Sequence, residues 1–206
     1  GKFLIVSNHP MGAADAIALY HQIYPVRDDL FFFANELFVY LLGAFHELLA
    51  PVVWNKEKET HSANKETLER LSVFFGDDRG GIIFPSGRLS KLTLFGLWDR
   101  PWESTPIALA KKYNFPLVPV YVEGKNSWFF YFASYLNKQL RDVSQLNELF
   151  NKRNVKISIK IGKPVNVSTL NDNNDVAINQ LRYKSESLRK KGLLKLNRKI
   201  NLRNLS

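Results

Sequence analysis

A histidine and an aspartate with five residues between them are the side chains of this sequence best suited to acid–base chemistry. They are His9 and Asp15, in the segment Ser7-Asn8-His9-Pro10-Met11-Gly12-Ala13-Ala14-Asp15. A carboxylate on the second ring nitrogen of a histidine fixes its tautomer and stabilises the charged ring when it acts as a general base. Because the spacing exceeds one helical turn, Gly12 must supply the backbone freedom that folds His9 back toward Asp15. The alternative is that Asp15 only caps a helix and His9 is a loop residue.

A second candidate is the basic turn Phe84-Pro85-Ser86-Gly87-Arg88-Leu89-Ser90-Lys91. Backbone amides and two cations within one turn form a plausible cradle for a phosphate or another anion, and Arg88 is able to bind phosphate through two hydrogen bonds. The Gly-Lys-Ser/Thr ending of a P-loop is missing, so this is not a nucleotide-binding P-loop. The alternative is a solvated basic loop.

The third candidate is the segment Val118-Pro119-Val120-Tyr121-Val122-Glu123-Gly124-Lys125-Asn126-Ser127. Its apolar part is predicted to be a buried strand. Glu123 and Asn126 lie at the carboxyl end of that strand, where side chains line the sites of parallel sheets. Structural roles for both are the alternative.

Several other kinds of site are excluded by content. The chain has no cysteine, which removes disulfides, thiolate metal sites and a cysteine nucleophile. His21 and His46 are isolated, and His61 lies in a polar connector, so no spacing indicates a metal site. Neither the Gly-x-Gly-x-x-Gly of a dinucleotide site nor the Gly-x-Ser-x-Gly of a serine hydrolase occurs.

Each candidate segment follows a short apolar run, and strands alternate with helices along the whole chain. This pattern predicts an α/β fold: a single domain with a mixed, mostly parallel sheet flanked by helices. The predicted strands are Leu4–Val6, Phe31–Phe33, Val52–Trp54, Ile82–Phe84, Leu117–Val122 and Val155–Ile161. The predicted helices are Asp15–Tyr24, Glu36–Leu49, Lys65–Phe75, Thr105–Tyr113, much of Asn126–Phe150, and Val176 onward.

The positive charge is concentrated at one end of the chain. The net charge is +10, and residues 182–206 hold nine basic residues against one acidic residue. We therefore divide the chain into a body over residues 1–181 and a basic helical tail over residues 182–206, and expect some residues before Gly1 to be missing. A basic tail seeks an anionic membrane or a nucleic acid. Together with the aromatic run 128–132, the tail is suited to holding the protein at a membrane interface. The alternatives are that the tail is solvated and that the aromatic residues belong to an ordinary core.

Taken together, these segments resemble the glycerol-phosphate and lysophospholipid acyltransferase family. That family carries Asn-His-x4-Asp, Gly-x-x-Phe-x-x-Arg, Phe-Pro-Glu-Gly-Thr-Arg-Ser and Val-Pro-Val in this order. The most similar branch is the bacterial lyso-ornithine-lipid acyltransferase and hemolysin-like group, whose first motif has five residues between His and Asp and whose later blocks resemble residues 99–102 and 123–127. Ser86 replaces the family glutamate, Arg88 and Leu89 replace Thr-Arg, and Lys56 falls where the second block has arginine.

The resemblance implies a glycerol-phosphate acyltransferase-like fold and an O-acyltransferase with His9 and Asp15 as its catalytic pair. It implies acyl-CoA or acyl carrier protein as donor, a lyso-lipid acceptor (lysophospholipid, lysophosphatidate or lyso-ornithine lipid), and no metal or bound cofactor. Candidate substrate-binding residues are Asn8, Gly12, Lys56, Ser86, Gly87, Arg88, Ser90, Lys91, Glu123 and Asn126.

The expected location is peripheral, on the cytoplasmic face of the inner membrane, with the anionic membrane surface as a partner. A lipid or thioester hydrolase using the same pair is one alternative. A basic module that binds nucleic acid or membrane without catalysis is another. No nucleic acid is expected as a partner, because the charge lies outside the α/β body and no binding motif is found.

Overall fold

The structure is a computed structural model that describes residues 1–34, 47–52, 61–94, 96–152 and 155–189. Three predicted features therefore lie wholly or largely outside the described residues. They are most of the helix over Glu36–Leu49, the candidate Lys56, and the tail from residue 190 onward.

A six-stranded sheet forms the centre of the domain, with strand order β3-β2-β4-β1-β7-β8. Every neighbouring pair is parallel except β7 and β8, which pair antiparallel at one edge. The strands are β1 (Phe3–Ser7), β2 (Leu30–Ala34), β3 (Leu49–Pro51), β4 (Gly80–Ile83), β7 (Leu117–Glu123) and β8 (Ser158–Ile161), with β5 (Lys91–Thr93) and β6 (Gly96–Trp98) forming a separate antiparallel hairpin. This confirms the predicted α/β class, a mostly parallel mixed sheet flanked by helices.

Helices cover both faces of the sheet. They are α1 (Ala13–Ile23), α2 (His61–Gly76), α3 (Thr105–Tyr113), α4 (Trp128–Leu136), α5 (Lys138–Asn151) and α6 (Asn174–Ser187), with a 3-10 turn at Val167–Thr169. Among the described helices, none is long and apolar enough to cross a bilayer.

The alternation of side chains along the strands creates two cores, one on each face. Leu4 and Val6 of β1 enter one core, and Ile5 enters the other. The first core contains residues of α2, α3 and α6, among them Phe75, Ile107, Ile178 and Leu181; the second contains residues of α1, among them Ala14, Ala18, Leu19 and Ile23. These apolar helix faces hold the sheet from both sides.

The elements differ from the prediction in several places. The hairpin β5–β6 was not predicted, because its strands are three residues each and too short to show a period. A strand is found at Leu49–Pro51, where Leu49 and Ala50 pair with β2, whereas the predicted strand Val52–Trp54 lies largely outside the described residues. Helix α2 begins at His61, inside the segment read as a polar connector. The last strand is shorter than Val155–Ile161 and begins at Ser158.

The predicted boundary between residues 181 and 182 falls inside α6. Ser185 is fully buried there and donates a hydrogen bond to the carbonyl oxygen of Val120, while Arg182 donates to the carbonyl oxygen of Asp99 at 2.8 Å. Through Arg182 and Ser185, the end of α6 thus contacts the α/β body.

Candidate active site

The three candidate segments meet at one edge of the sheet. Strand β1 lies between β4 and β7 and runs parallel to both, so the carboxyl ends of all three strands lie together. Asn8 follows β1, Phe84 follows β4 and Gly124 follows β7. Parallel sheets form their sites at this edge. Here the order of the strands within the sheet, β4-β1-β7, brings together three loops that are distant in sequence.

His9 and Asp15 face each other within this cluster. Nδ1 of His9 lies 3.0 Å from Oδ2 of Asp15, and the aspartate is fully buried while the histidine side chain is 18% exposed. Contacts of this kind commonly tighten into well-aligned hydrogen bonds when a substrate binds. The imidazole therefore has a buried carboxylate on one side and access to solvent on the other.

The start of helix α1 explains how residues so far apart in sequence meet. Oδ2 of Asp15 accepts hydrogen bonds from the backbone N–H groups of Met11, at 2.8 Å, and Gly12, at 3.0 Å. The N–H of Asp15 donates in return to the carbonyl oxygen of Gly12 at 2.9 Å. Gly12 adopts φ 79° and ψ −134°, a conformation that is essentially restricted to glycine, and this folds His9 back over the helix start. Asp15 thus caps the helix and holds His9 at once.

Burial raises the pKa of Asp15 above its ordinary value, because the charged carboxylate loses its hydration. The contacts with His9 and with the amides of Met11 and Gly12 oppose that rise, because they stabilise the anion. A buried carboxylate with three such partners is suited to stabilising a positive charge on the neighbouring imidazole.

The basic turn is fastened to the histidine through Ser90 and Phe84. The N–H of Ser90 donates to the carbonyl oxygen of His9 at 2.9 Å, and the ring of Phe84 stacks on the imidazole at 4.1 Å between centroids. The plane of the imidazole is therefore set by an aromatic face, and a backbone hydrogen bond links the two motifs.

Asp99 is a further site residue that sequence reasoning did not single out. Its carboxylate accepts hydrogen bonds from Oγ of Ser90 at 2.8 Å and from Nε1 of Trp102 at 2.6 Å, and the N–H of His9 lies 3.4 Å away. Burial raises the pKa of Asp99, while Trp102 and Ser90 oppose the rise. The resemblance covered residues 99–102 as a block, but only the β5–β6 hairpin brings Asp99 back to Ser90.

Two predicted substrate-binding side chains instead hold the loops together. The amide of Asn8 donates to the carbonyl oxygen of Val122 at 2.9 Å and accepts from its N–H at 2.7 Å, extending the β1–β7 pairing by one residue. Oγ of Ser86 is buried and donates to the carbonyl oxygen of Arg88 at 2.8 Å. These hydrogen bonds give both side chains a structural role, and their contact with substrate stays a prediction. Ser90, likewise buried, is bonded as described above.

The remaining predicted residues divide by exposure. Arg88 and Lys91 are exposed beside the turn, where Gly87 adopts φ 58°. The Glu123 side chain is 49% exposed and lies 3.5 Å from Nζ of Lys160. Asn126 is 3% exposed, and neither polar atom of its side chain has a hydrogen-bond partner among the described residues.

A cavity of about 710 Å³ opens beside the turn that carries His9. It is bounded by the turn itself, by the β5–β6 hairpin, by the end of β7 and by the end of α6; its lining includes Pro10, Asp99, Trp98, Tyr121, Glu123 and Arg189. The mixture of aromatic and charged groups is suited to a substrate with both an apolar chain and a polar head. Within the described ranges, no group of three His, Asp or Glu side chains is placed to hold a metal ion.

The helices α4 and α5 lie over the turn that carries His9 and Gly12. Gln145 of α5 packs so closely on Gly12 that a Cβ at this glycine would approach its Nε2 to 2.5 Å. The hydroxyl of Tyr131 in α4 accepts a hydrogen bond from the N–H of Asn126 at 3.1 Å. Burial raises the pKa of Tyr131, and the hydrogen bond from Asn126 opposes the rise.

Comparison with known proteins gives similarities at three levels. Residues 1–200 match the protein-family model described as Acyltransferase. The chain is 28% identical over 172 residues to a lyso-glycine lipid O-acyltransferase of Phocaeicola vulgatus, covering 80% of this chain and 60% of that protein. It is 29% identical over 172 residues to a protein of the same name from Bacteroides thetaiotaomicron, covering 80% of this chain and 61% of that protein. The chain thus spans about three fifths of these relatives.

A solved structure shares the fold. The crystal structure of the 1-acyl-sn-glycerophosphate (LPA) acyltransferase PlsC from Thermotoga maritima aligns with a TM-score of 0.54 and 14% sequence identity. The alignment covers 92% of this chain and 66% of that chain. At this identity the likeness concerns the arrangement of sheet and helices.

Proposed function

The chain belongs to the acyltransferase family, and from this premise we propose that it is a lyso-lipid O-acyltransferase in which His9 is the general base. The observation that carries the proposal is the 3.0 Å separation of His9 and Asp15 at the edge where three parallel strands end. Acyl transfer to a hydroxyl needs one group that removes the hydroxyl proton and one that stabilises that group when it is charged.

In the first step, the acceptor hydroxyl lies against the imidazole nitrogen that does not face Asp15. His9 takes the hydroxyl proton as the oxygen attacks the thioester carbonyl, and a tetrahedral intermediate forms. The carboxylate of Asp15 stabilises the resulting imidazolium through its contact with Nδ1, and stacking on Phe84 holds the orientation of the imidazole ring. The carboxylate is buried, so its interaction with the charged ring is weakly screened.

In the second step, the intermediate collapses and the carbon–sulfur bond breaks. The leaving thiolate takes the proton from the imidazolium, which regenerates the neutral base and completes the balance of the reaction. The cation of Arg88 and the amides of its turn are the groups we assign to the developing oxyanion or to an anionic head group. Arg88 is exposed and available for this role. The reaction requires no metal and no bound cofactor.

The substrates follow from the family and from the relatives. The donor is an acyl thioester, carried by coenzyme A or by acyl carrier protein. The two sequence relatives are named for a lyso-glycine lipid, and the structural neighbour is named for 1-acyl-sn-glycerophosphate. We favour a lyso-lipid with an amino-acid head group, since the sequence relatives share 28–29% identity with this chain. Both donor carriers are cytoplasmic, which places the reaction on the cytoplasmic face of the inner membrane.

The test is a product analysis. The purified chain is incubated with lyso-glycine lipid, lyso-ornithine lipid and lysophosphatidate, each with acyl-CoA and with acyl carrier protein loaded with the same acyl group. We expect mass spectrometry to detect the diacylated lipid in at least one pairing, with release of one thiol per ester formed.

Two outcomes would count against the proposal. Free fatty acid without any diacylated lipid would indicate a hydrolase at the same His-Asp pair, with water in place of the acceptor. No product with any pairing, from protein that is shown to be folded, would remove the enzymatic function from this chain.

A further inference from the structure

Helix α4 presents an unusually apolar face to solvent. Trp128, Phe129, Phe132, Tyr135 and Leu136 are 78%, 62%, 56%, 89% and 57% exposed, and they recur at the spacing of one helical face. None of the nine residues of α4 is charged. Leu140 at the start of α5 is 50% exposed and lengthens the patch. Five such side chains expose on the order of several hundred Å² of apolar surface, an extent that marks an interaction site.

This face is held rigidly. The buried carboxylate of Glu148 in α5 accepts hydrogen bonds from the N–H of Ser127 at 2.8 Å and from Nζ of Lys152 at 3.0 Å. Ser127 in turn caps α4, because its Oγ accepts from the N–H of Phe130 at 3.2 Å. Phe130 and Ala133, on the opposite side of α4, are buried. The aromatic face is therefore a fixed surface.

The same helix pair covers the catalytic turn. Gln145 packs on Gly12, and the α4 residue Tyr131 holds the loop that follows β7. Gly124 in that loop contacts Met11 so closely that a Cβ would not fit. Whatever binds the exposed face of α4 consequently lies next to the site where His9 meets its acceptor.

Charge decides between two occupants of this face. A second copy would bring two chains of net charge +10 together, and like charges oppose association. An anionic bilayer is instead attracted by that charge. Lys125, three residues before α4, is exposed and is suited to the level of the lipid head groups, as are the indole of Trp128 and the hydroxyl of Tyr135.

We propose that the aromatic face of α4 inserts into the interface of an anionic lipid bilayer and positions the His9 site at the membrane surface. Nine residues are too few to span a bilayer, so α4 lies in the plane of the interface with its apolar side in the acyl boundary. This inference rests on the proposed function, because a lyso-lipid acceptor has to reach His9 from such a surface.

The experiment compares two matched double variants of the 206-residue chain. Phe129→Ser with Phe132→Ser removes two aromatic groups from the face, whereas Val26→Ser with Val176→Ser removes two exposed apolar side chains outside α4 and α5. Binding is measured by flotation with vesicles of phosphatidylcholine and phosphatidylglycerol, and with phosphatidylcholine alone. We expect the first pair to weaken binding by at least about tenfold and the control pair by less than about twofold. We also expect brominated lipids to quench Trp fluorescence, with most quenching lost in Trp128→Phe.

Other results would overturn the inference. These are equal vesicle binding by both double variants, quenching unchanged in Trp128→Phe, or a concentration-dependent dimer that only the Phe129/Phe132 pair abolishes.

Activity separates this inference from the proposed function. The Phe variants should lose transfer to acceptors in vesicles yet keep transfer to a short-chain, monomeric acceptor; equal loss on both would contradict a membrane role. Vesicle binding through α4 without acyl transfer to any acceptor would contradict the proposed function but support the membrane-binding role of the α4 face.

Discussion

At the residue scale, Asp15 shows that capping a helix and contacting His9 need not exclude each other. The sequence left open whether this aspartate caps a helix or orients His9, and its Oδ2 contacts both the helix amides and Nδ1. The cap itself fixes the position of the carboxylate, because two backbone N–H groups leave it one orientation. Asp99 has an analogous role for the basic turn, which it ties to His9 through Ser90.

Replacement of Asp99 by asparagine should change how stability depends on pH. Burial holds the pKa of Asp99 above its ordinary 3.8, so the folded state retains the proton to higher pH than the unfolded chain. The stability from this group is present in full below pH 3.8 and is lost as pH rises through the folded pKa. The unfolding free energy of Asp99→Asn, minus that of wild type, should therefore increase from pH 3 toward pH 7 in urea titrations.

The companion variant for this experiment is Ser90→Ala. It removes one hydrogen-bond donor but keeps the titrating carboxyl, so Asp99 should still contribute a loss of stability as pH rises in this variant. A difference between Asp99→Asn and wild type that stays constant over this range would show that the folded pKa of Asp99 is not raised.

At the element scale, the strands that carry the site were predicted from short apolar runs, because buried parallel strands lack polar positions. The predicted bounds of the helix Thr105–Tyr113 agree with the observed ones, since Pro106 and Asn114 mark its two ends. The β5–β6 hairpin was missed, and Asp99 with it, because Leu92 and Leu94 are exposed and show no buried face. The hydrogen bonds by which Asn8, Ser86 and Ser90 hold loops together follow from tertiary contacts, which residue spacing does not contain.

The turn before α1 provides a prediction at this scale. Gly12→Ala should lower the free energy of unfolding by about 1–3 kcal/mol and reduce acyl transfer, because the positive φ is strained for alanine. The added Cβ would also press on Gln145. The double variant Gly12→Ala, Gln145→Ala relieves the second effect alone, so it should recover only part of the stability in urea unfolding.

The matched control is Gly76→Ala at the end of α2. A Cβ there meets nothing within 4 Å, so the change should be neutral or slightly stabilising. If Gly12→Ala is as stable as Gly76→Ala, the turn does not require glycine and the account of how His9 folds back is wrong.

At the scale of the whole molecule, the strand order does most to assemble the site. Residues 9, 84 and 124 are far apart in sequence and meet only because β1 is inserted between β4 and β7. Helix α6 closes the assembly from the side, where Arg182 bonds the backbone of Asp99. The basic C-terminal region therefore includes residues on which the site geometry depends.

Two truncations distinguish this account from the predicted division at residue 181. Deletion of residues 190–206 should change the melting temperature little, because residues 182–189 keep their contacts. Deletion of residues 182–206 should destabilise the domain by about 2–4 kcal/mol, because it removes the hydrogen bonds of Arg182 and Ser185. Thermal unfolding of both proteins is the measurement, and equal stability would show that the end of α6 is dispensable.

The central claim is that His9 is the base, and the kcat/KM of His9→Ala for transfer to the acceptor found by product analysis tests it most directly. The variant is compared with His21→Ala, which replaces a half-buried histidine in the last turn of α1, and both are checked for wild-type circular dichroism and melting temperature. We predict a fall of about 10²- to 10⁴-fold for His9→Ala and less than about threefold for His21→Ala. A folded His9→Ala protein that transfers acyl groups within about threefold of the wild-type rate would contradict the claim.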